Sequence, residues 1–137
     1  MRIAFATDEA TGVTAGLIDH LRQGGHHVDE VAPGAEWPEA GRAVGEAVAA
    51  GRAEMGIACC HTGTGVSIAA NKVPGVRAAL CTDAATAAGA RQWNDANVVA
   101  LGLRLTTLTL AVEIVDAFLS TPADPSEAGA VARLAEE

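Results

Sequence analysis

The sequence predicts an α/β fold, a five-stranded parallel sheet with helices on both faces. Three observations carry this prediction. Short apolar runs alternate along the chain with segments whose apolar residues fall at helical spacing. Glycine, proline and polar clusters punctuate the changeovers. Half of the 137 residues are apolar, yet only two Phe and two Trp are aromatic and no Tyr occurs, so the core must be built from closely packed Ala, Val, Leu and Ile.

Arg2 to Ala6 reads as a buried strand that ends on Thr7-Asp8-Glu9. Thr11 to Gln23 then places Val13, Leu17, Ile18 and Leu21 on one helical face. Gly24-Gly25 stops this helix, and His27 to Val31 alternates as a second strand. Pro33 to Pro38 forms a loop before a helix from about Glu39 to Ala50. Met55 to Ala58 is the third strand, running through Cys59-Cys60 into a glycine-interrupted loop and a short helix that ends near Asn71. Val73-Pro74-Gly75 turns the chain into a fourth strand, Val76 to Cys81. A helix over Asp83–Arg91, a fifth strand over Val98–Leu101 and a helix over Leu108–Leu119 complete the alternation. From about residue 122 the tail is Ala- and Glu-rich; it predicts a loop and one short helix, packed on a partner chain.

Residues 1–137 are long enough for one domain with a real core and too short for two. A net charge of −8 with a single lysine, Lys72, leaves no basic patch for nucleic acid or an anionic membrane surface. Three cysteines, two of them adjacent, build no disulfide framework, and no export signal or membrane-length apolar run occurs. A cytoplasmic protein is expected. Cys59, Cys60 and His61 are adjacent, so their side chains diverge along a strand; a metal site is set aside.

In such a sheet, ligands sit beyond the carboxyl ends of the strands. The loops at Asp8-Glu9, Trp37-Pro38, Cys60 to Ser67, Thr82-Asp83 and Trp93 to Asn97 are therefore expected to share one rim. The centre of that rim is Cys60-His61-Thr62-Gly63-Thr64-Gly65-Val66-Ser67. Gly63 and Gly65 permit backbone geometries closed to other residues, and several N–H groups converge at a helix N-terminus, a nest for negative charge. Cys60 reads either as a base or nucleophile beside that nest or as a small hydrophobe closing a buried strand; Cys59 reads as the latter. Asp8 and Glu9 bring two carboxylates where one helix cap would do, whereas Asp83 reads as a cap. Trp37 either covers apolar surface or meets a ligand.

Gly63-Thr-Gly-Val-Ser-Ile-Ala-Ala-Asn-Lys-Val-Pro-Gly-Val-Arg-Ala-Ala-Leu-Cys81, with Asn94-Asp-Ala-Asn-Val98 and Ile114-Val-Asp-Ala-Phe-Leu-Ser-Thr121, closely resembles the ribose-5-phosphate isomerase B family. That family includes the two subunit types of galactose-6-phosphate isomerase. The match runs in consistent order from Met1 to about Thr121. The resemblance implies a Rossmann-like three-layer sandwich and a homodimer or homotetramer with shared active sites. It also implies aldose–ketose isomerisation of a small sugar, through an enediol and without metal or other cofactor. Cys60 aligns with the family's base, Thr62 with its hydroxyl-bearing neighbour and the amides of Gly63, Thr64, Gly65, Val66 and Ser67 with its anion-stabilising loop. Asn94 aligns with a substrate-binding amide and Asp8 with a hydroxyl-binding aspartate.

The departures point in one direction. Glu9 replaces a histidine commonly used to hold substrate phosphate, Trp93 replaces a ring-opening histidine, and His61 replaces a glycine. The family's C-terminal Arg-His-x-Arg-Arg cluster is here Glu127-Ala-Gly-Ala-Val-Ala-Arg133, with one candidate arginine. A carboxylate about 4–6 Å from a phosphate dianion costs roughly 1–4 kcal/mol at a surface-like dielectric. An unphosphorylated or atypical sugar is therefore expected, held by Asp8 and Glu9 through hydroxyl hydrogen bonds and by stacking on Trp37 or Trp93. His61 or Glu9 takes over the acid–base work of the lost histidine; the alternative for His61 is a packed or solvent-facing side chain. Two other readings stand beside this one: a degraded subunit completed by a second family member, and recruitment to another enolisation such as epimerisation or dehydration.

Overall fold

A computed structural model of the chain describes residues 1–135. Its elements alternate as β1 (Arg2–Thr7), α1 (Gly12–Gln23), β2 (His27–Glu30), α2 (Trp37–Ala49), β3 (Met55–Cys60), α3 (Thr64–Asn71), β4 (Ala78–Leu80), α4 (Ala84–Asn94), β5 (Val98–Gly102) and α5 (Leu108–Ser120). The five strands form one sheet in the order β2-β1-β3-β5-β4, with every neighbouring pair parallel. This is the Rossmann-like α/β arrangement expected.

Alternation along the strands divides the core in two. Ile3, Phe5, Ile57, Cys59, Val99 and Leu101 face a bulky layer completed by residues of α1, α4 and α5. Ala4, Ala6, Ala58, Cys60, Val98 and Ala100 face α2 and α3 in a layer made almost wholly of Ala and Val. Small side chains on this second face let the helices approach closely. A Cβ on Gly41 of α2 would stand 2.7 Å from the Val66 carbonyl oxygen of α3.

Several boundaries differ from the sequence reading, each for a local reason. Helix α2 begins at Trp37, because Pro38 sits in the first turn, where its fixed φ suits a helix and its missing N–H costs nothing. Strand β4 is shorter than Val76–Cys81: the Val76 amide donates to the Val73 carbonyl in a turn, and the Arg77 amide to Asn97 Oδ1. Helix α4 continues past Arg91 to Asn94. The Arg91 guanidinium donates to the carbonyls of Ala96 (2.6 Å) and Thr121 (3.1 Å) and to Asp95 Oδ1 (2.9 Å), and Asp95 closes the helix with a left-handed φ of 47°. In the tail, a 3₁₀ turn at Pro125–Glu127 leads into a short helix α6 (Ala128–Ala132) and a further 3₁₀ turn at Arg133–Ala135. Residues 136 and 137 lie outside the described ones. The tail is fastened to α4 of its own chain, the Asp124 amide donating to the Gln92 carbonyl at 2.9 Å. Among the described residues, no helix is long and apolar enough to cross a membrane.

One expectation about the rim is overturned. Each helix runs back antiparallel to its strands, so the Trp93 to Asn97 connection lies where β5 starts, not where β3 ends. Val98 pairs with Gly56 at the start of β3, whereas Cys60 pairs with Gly102. Those two levels are four residues of strand apart, roughly 13 Å.

Candidate active site

From β1 the chain crosses to β2 on one side and then to β3 on the other, so the connections leaving the carboxyl ends of β1 and β3 diverge. A crevice opens at such a switch point. Here it is a hollow of about 360 Å³, with Asp8 from the end of β1, Cys60 from the end of β3, and Thr62, Thr64 and Gly65 from the loop and first turn that follow. The Asp8 amide donates to the Cys59 carbonyl at 3.3 Å, tying the two strand ends together.

The adjacent cysteines have opposite fates. Cys59 is fully buried on the α1/α5 side, and burial, helped by the charges of Cys60 and Asp8, pushes its thiol up to about 12. Cys60 points the other way and lines the hollow, with 5% of its surface exposed. Cys81 is also buried; desolvation, with a smaller contribution from Asp83, pushes its thiol up to about 11. Of the three free thiols, Cys60 is the one that borders the hollow.

The loop after Cys60 is pressed onto the end of β5. The amides of Leu103 and Arg104 donate to the carbonyls of Cys60 (2.9 Å) and His61 (2.8 Å). A Cβ on Gly102 would lie 2.6 Å from the Thr62 carbonyl oxygen, and one on Gly63 would lie 2.5 Å from Leu80 Cδ1. Gly63 also takes a left-handed φ of 78° as the N-cap of α3, so conformation and space both require glycine. The first N–H groups of a helix have no partner within it. Among the described residues the amides of Gly63, Thr64, Gly65 and Val66 have no protein acceptor, whereas the Ser67 amide already donates to the Gly63 carbonyl at 3.2 Å. The nest is therefore one residue shorter than expected. The hydroxyls of Thr62 and Thr64 stand 2.7 Å apart beside it.

Trp37 closes the hollow from α2. Its indole covers Gly65, where an added Cβ would stand 2.8 Å from the ring. His61 lines the hollow as an exposed side chain rather than a packed one. Glu9 does not border the hollow; its amide donates to Thr7 Oγ1 and its carbonyl accepts from the same hydroxyl. Val66 does not border the hollow; its side chain is buried in the layer packed against α2 and α3. Asp83 behaves as a cap: its carboxylate accepts from the Thr86 amide at 2.7 Å, which lowers its pKa.

The chain's similarity to known proteins agrees with this geometry. The family model described as Ribose/Galactose Isomerase matches residues 3–135. The chain belongs to that family. Over 91 residues it is 44% identical to the galactose-6-phosphate isomerase subunit LacB of Clostridium acetobutylicum, covering 66% of this chain and 53% of the relative. The chain thus spans about half the length of that subunit. It is 36% identical over 125 residues to a D-erythrulose-4-phosphate isomerase of Pectobacterium atrosepticum, covering 87% of this chain and 82% of the relative. Among solved structures, ribose-5-phosphate isomerase B of Clostridium thermocellum superposes with a TM-score of 0.93 at 37% identity, covering 99% of this chain and 96% of the other.

Within the ribose/galactose isomerase pattern, Trp93 and Asn94 are the residues that the fold separates from Cys60. Both sit in the last turn of α4, in a second hollow along that helix, where Trp93 lies against Gly89. Arg104, conversely, escaped the sequence reading. Its main chain is anchored to His61 at the rim, and its side chain is exposed. The signal was available: the loop after β5 leaves from the same carboxyl edge as Cys60, so Gly102 to Arg104 belongs on that rim.

Proposed function

We propose that the hollow between β1 and β3 performs a metal-independent aldose–ketose isomerisation through an enediolate. The observation that carries this reading is that Cys60, Thr62, Thr64 and Gly65 line one crevice at the start of α3, where the amides of Gly63 to Val66 have no protein acceptor among the described residues. Cys60 removes the proton α to the substrate carbonyl and returns it to the former carbonyl carbon, while the proton of the adjacent substrate hydroxyl moves to the former carbonyl oxygen. The amides stabilise the oxygen while it carries charge, and Thr62 donates to the second oxygen of the enediolate. Asp8 holds substrate hydroxyls, and Trp37 offers an aromatic wall. Free thiols suit the cytoplasmic placement expected from the sequence.

For the substrate we propose an unphosphorylated or atypical sugar rather than ribose 5-phosphate. Asp8 borders the hollow and, among the described residues, is engaged in no ion pair, so its carboxylate repels a phosphate placed beside it. The similarity to an enzyme named for D-erythrulose 4-phosphate supports a family range wider than pentoses. We also propose that the working unit is a homodimer or homotetramer, in which the Trp93–Asn94 end of one protomer completes the Cys60 hollow of another. The 44% identity to a galactose-6-phosphate isomerase subunit favours one further reading, a subunit that needs a second family member beside it.

Incubation in D₂O with ribose 5-phosphate and with a panel of free aldoses and ketoses, followed by NMR at C2 of the aldoses and C1 of the ketoses, tests both parts. Exchange with one or more unphosphorylated sugars and slow exchange with ribose 5-phosphate are expected. Rapid turnover of ribose 5-phosphate would overturn the phosphate exclusion. Cys60→Ala should slow exchange by roughly 10²–10⁴-fold; full activity in that variant would remove Cys60 as the base. Activity that emerges only on mixing with a second family member would identify the paired-subunit arrangement.

A further inference from the structure

We infer that the Thr64 hydroxyl is a positioning group for Thr62, a role separate from that of the Thr64 amide in the nest; the inference rests on the isomerase reading above. The two Oγ1 atoms lie 2.7 Å apart, and either can be the donor. Both residues border the Cys60 hollow. Hydroxyls at the start of a helix commonly turn onto the helix's own free amides. This one does not: α3 is capped by Gly63 with no side-chain cap, and the Thr64 hydroxyl has Thr62 as its partner.

A hydroxyl carries one proton and two acceptor positions, so the pair has two arrangements. When Thr62 donates to Thr64, its proton is turned away from any ligand oxygen. When Thr64 donates to Thr62, the Thr62 proton is released to the hollow, and its donation is strengthened because hydrogen bonds in a chain polarise one another. An oxygen that gains negative charge beside the Gly63 to Val66 amides draws the pair into the second arrangement. The benefit grows as charge develops, so it falls on the rate of the chemical step more than on substrate binding. An aliphatic side chain of the same shape at position 64 leaves Thr62 unconstrained.

Steady-state kinetics of Thr64→Val, Thr64→Ser, Thr62→Val and the double variant test this, using the panel sugar whose α-carbon proton the wild type exchanges fastest. Thr64→Val should lower kcat by about 3–10-fold while KM stays within about 2-fold. Thr64→Ser, which restores the hydroxyl, should recover kcat to within about 2-fold. The double variant should be no slower than Thr62→Val alone, since the two hydroxyls act as one unit. Thr62 and Thr64 are both exposed, so all four variants should melt as the wild type does, and Thr64→Ala serves as a second hydroxyl-free form. An unchanged kcat in Thr64→Val and Thr64→Ala, a serine variant as slow as the valine one, or additive losses in the double variant would each overturn the inference while leaving the isomerase reading in place. A wild type inert toward every sugar would overturn that reading and this inference with it.

Discussion

Gly65 is small because Trp37 occupies the space beside it. An added Cβ would stand 2.8 to 3.3 Å from three atoms of the indole, and the indole, 44% exposed, is free to move where a main-chain atom would not be. Gly65→Ala should therefore cost little stability, within about 1 kcal/mol, while swinging the aromatic wall out of the hollow. We expect C2 exchange to fall by roughly 10-fold through lost substrate positioning, with an unchanged melting curve and a red-shifted Trp fluorescence as the indole enters water. In a Trp37→Ala background, the same Gly65 substitution should have almost no further effect, because the atoms it would collide with are gone. Equal effects in both backgrounds would mean that Gly65 is required for its own backbone geometry and not by its neighbour.

Between elements, the α2/α3 contact shows the same steric logic with a different outcome. At Gly41 the atoms in the way are the Val66 carbonyl oxygen at 2.7 Å, the Val66 Cα at 3.1 Å and the Ala69 Cβ at 2.7 Å, so two helices must part to admit a methyl group. Gly41→Ala should destabilise the protein by about 1–3 kcal/mol in urea denaturation. Gly12→Ala, with nothing within 4 Å, should be neutral or slightly stabilising. At the sheet edge, the Asn71 side chain accepts from the Ala78 amide (2.8 Å) and donates to the Ala78 carbonyl (3.0 Å), covering the outer side of β4 as a neighbouring strand would. Such contacts explain which parts of the fold were legible. Strand alternation fixes faces locally, so β1, β3 and β5 could be read from their own residues. The start of β4 could not, because Val76 and Arg77 are diverted by Val73 and by Asn97, and Asn97 is twenty residues from Arg77. In the site, Cys60 and its glycines announced themselves through local backbone chemistry. Trp93 and Asn94 precede β5, and a helix that runs back against its strands delivers them to the edge where β5 starts, opposite Cys60; local chemistry carried no trace of that, only the topology did.

For the whole molecule, the two deeply buried thiols make stability depend on alkaline pH. Cys59 and Cys81 both belong to the bulky core layer shared by β1, β3, β5 and three helices, so neither can ionise without disrupting the body of the fold. Their folded values of about 12 and about 11 lie above the ordinary thiol value of 9.0. Above pH 9 the unfolded chain therefore loses thiol protons that the native state retains. The native state binds more protons in that window, and stability must fall as pH rises. Below pH 9 both states are protonated there and the contribution is fully present. Each thiol should remove about 1.4 kcal/mol per pH unit between the two values, a substantial share of the usual 5–15 kcal/mol. The composition makes the effect readable, because one lysine and no tyrosine leave few other groups to titrate in this range. Urea denaturation at pH 8, 9, 10 and 10.5 should show a declining unfolding free energy, and Cys59→Val should reduce the slope by about one proton. A flat profile from pH 8 to 10.5 would mean that these thiols are hydrated in the folded protein. The Cys59/Cys60 division between core and crevice would then fail, and with it the assignment of Cys60 as the thiol that meets substrate.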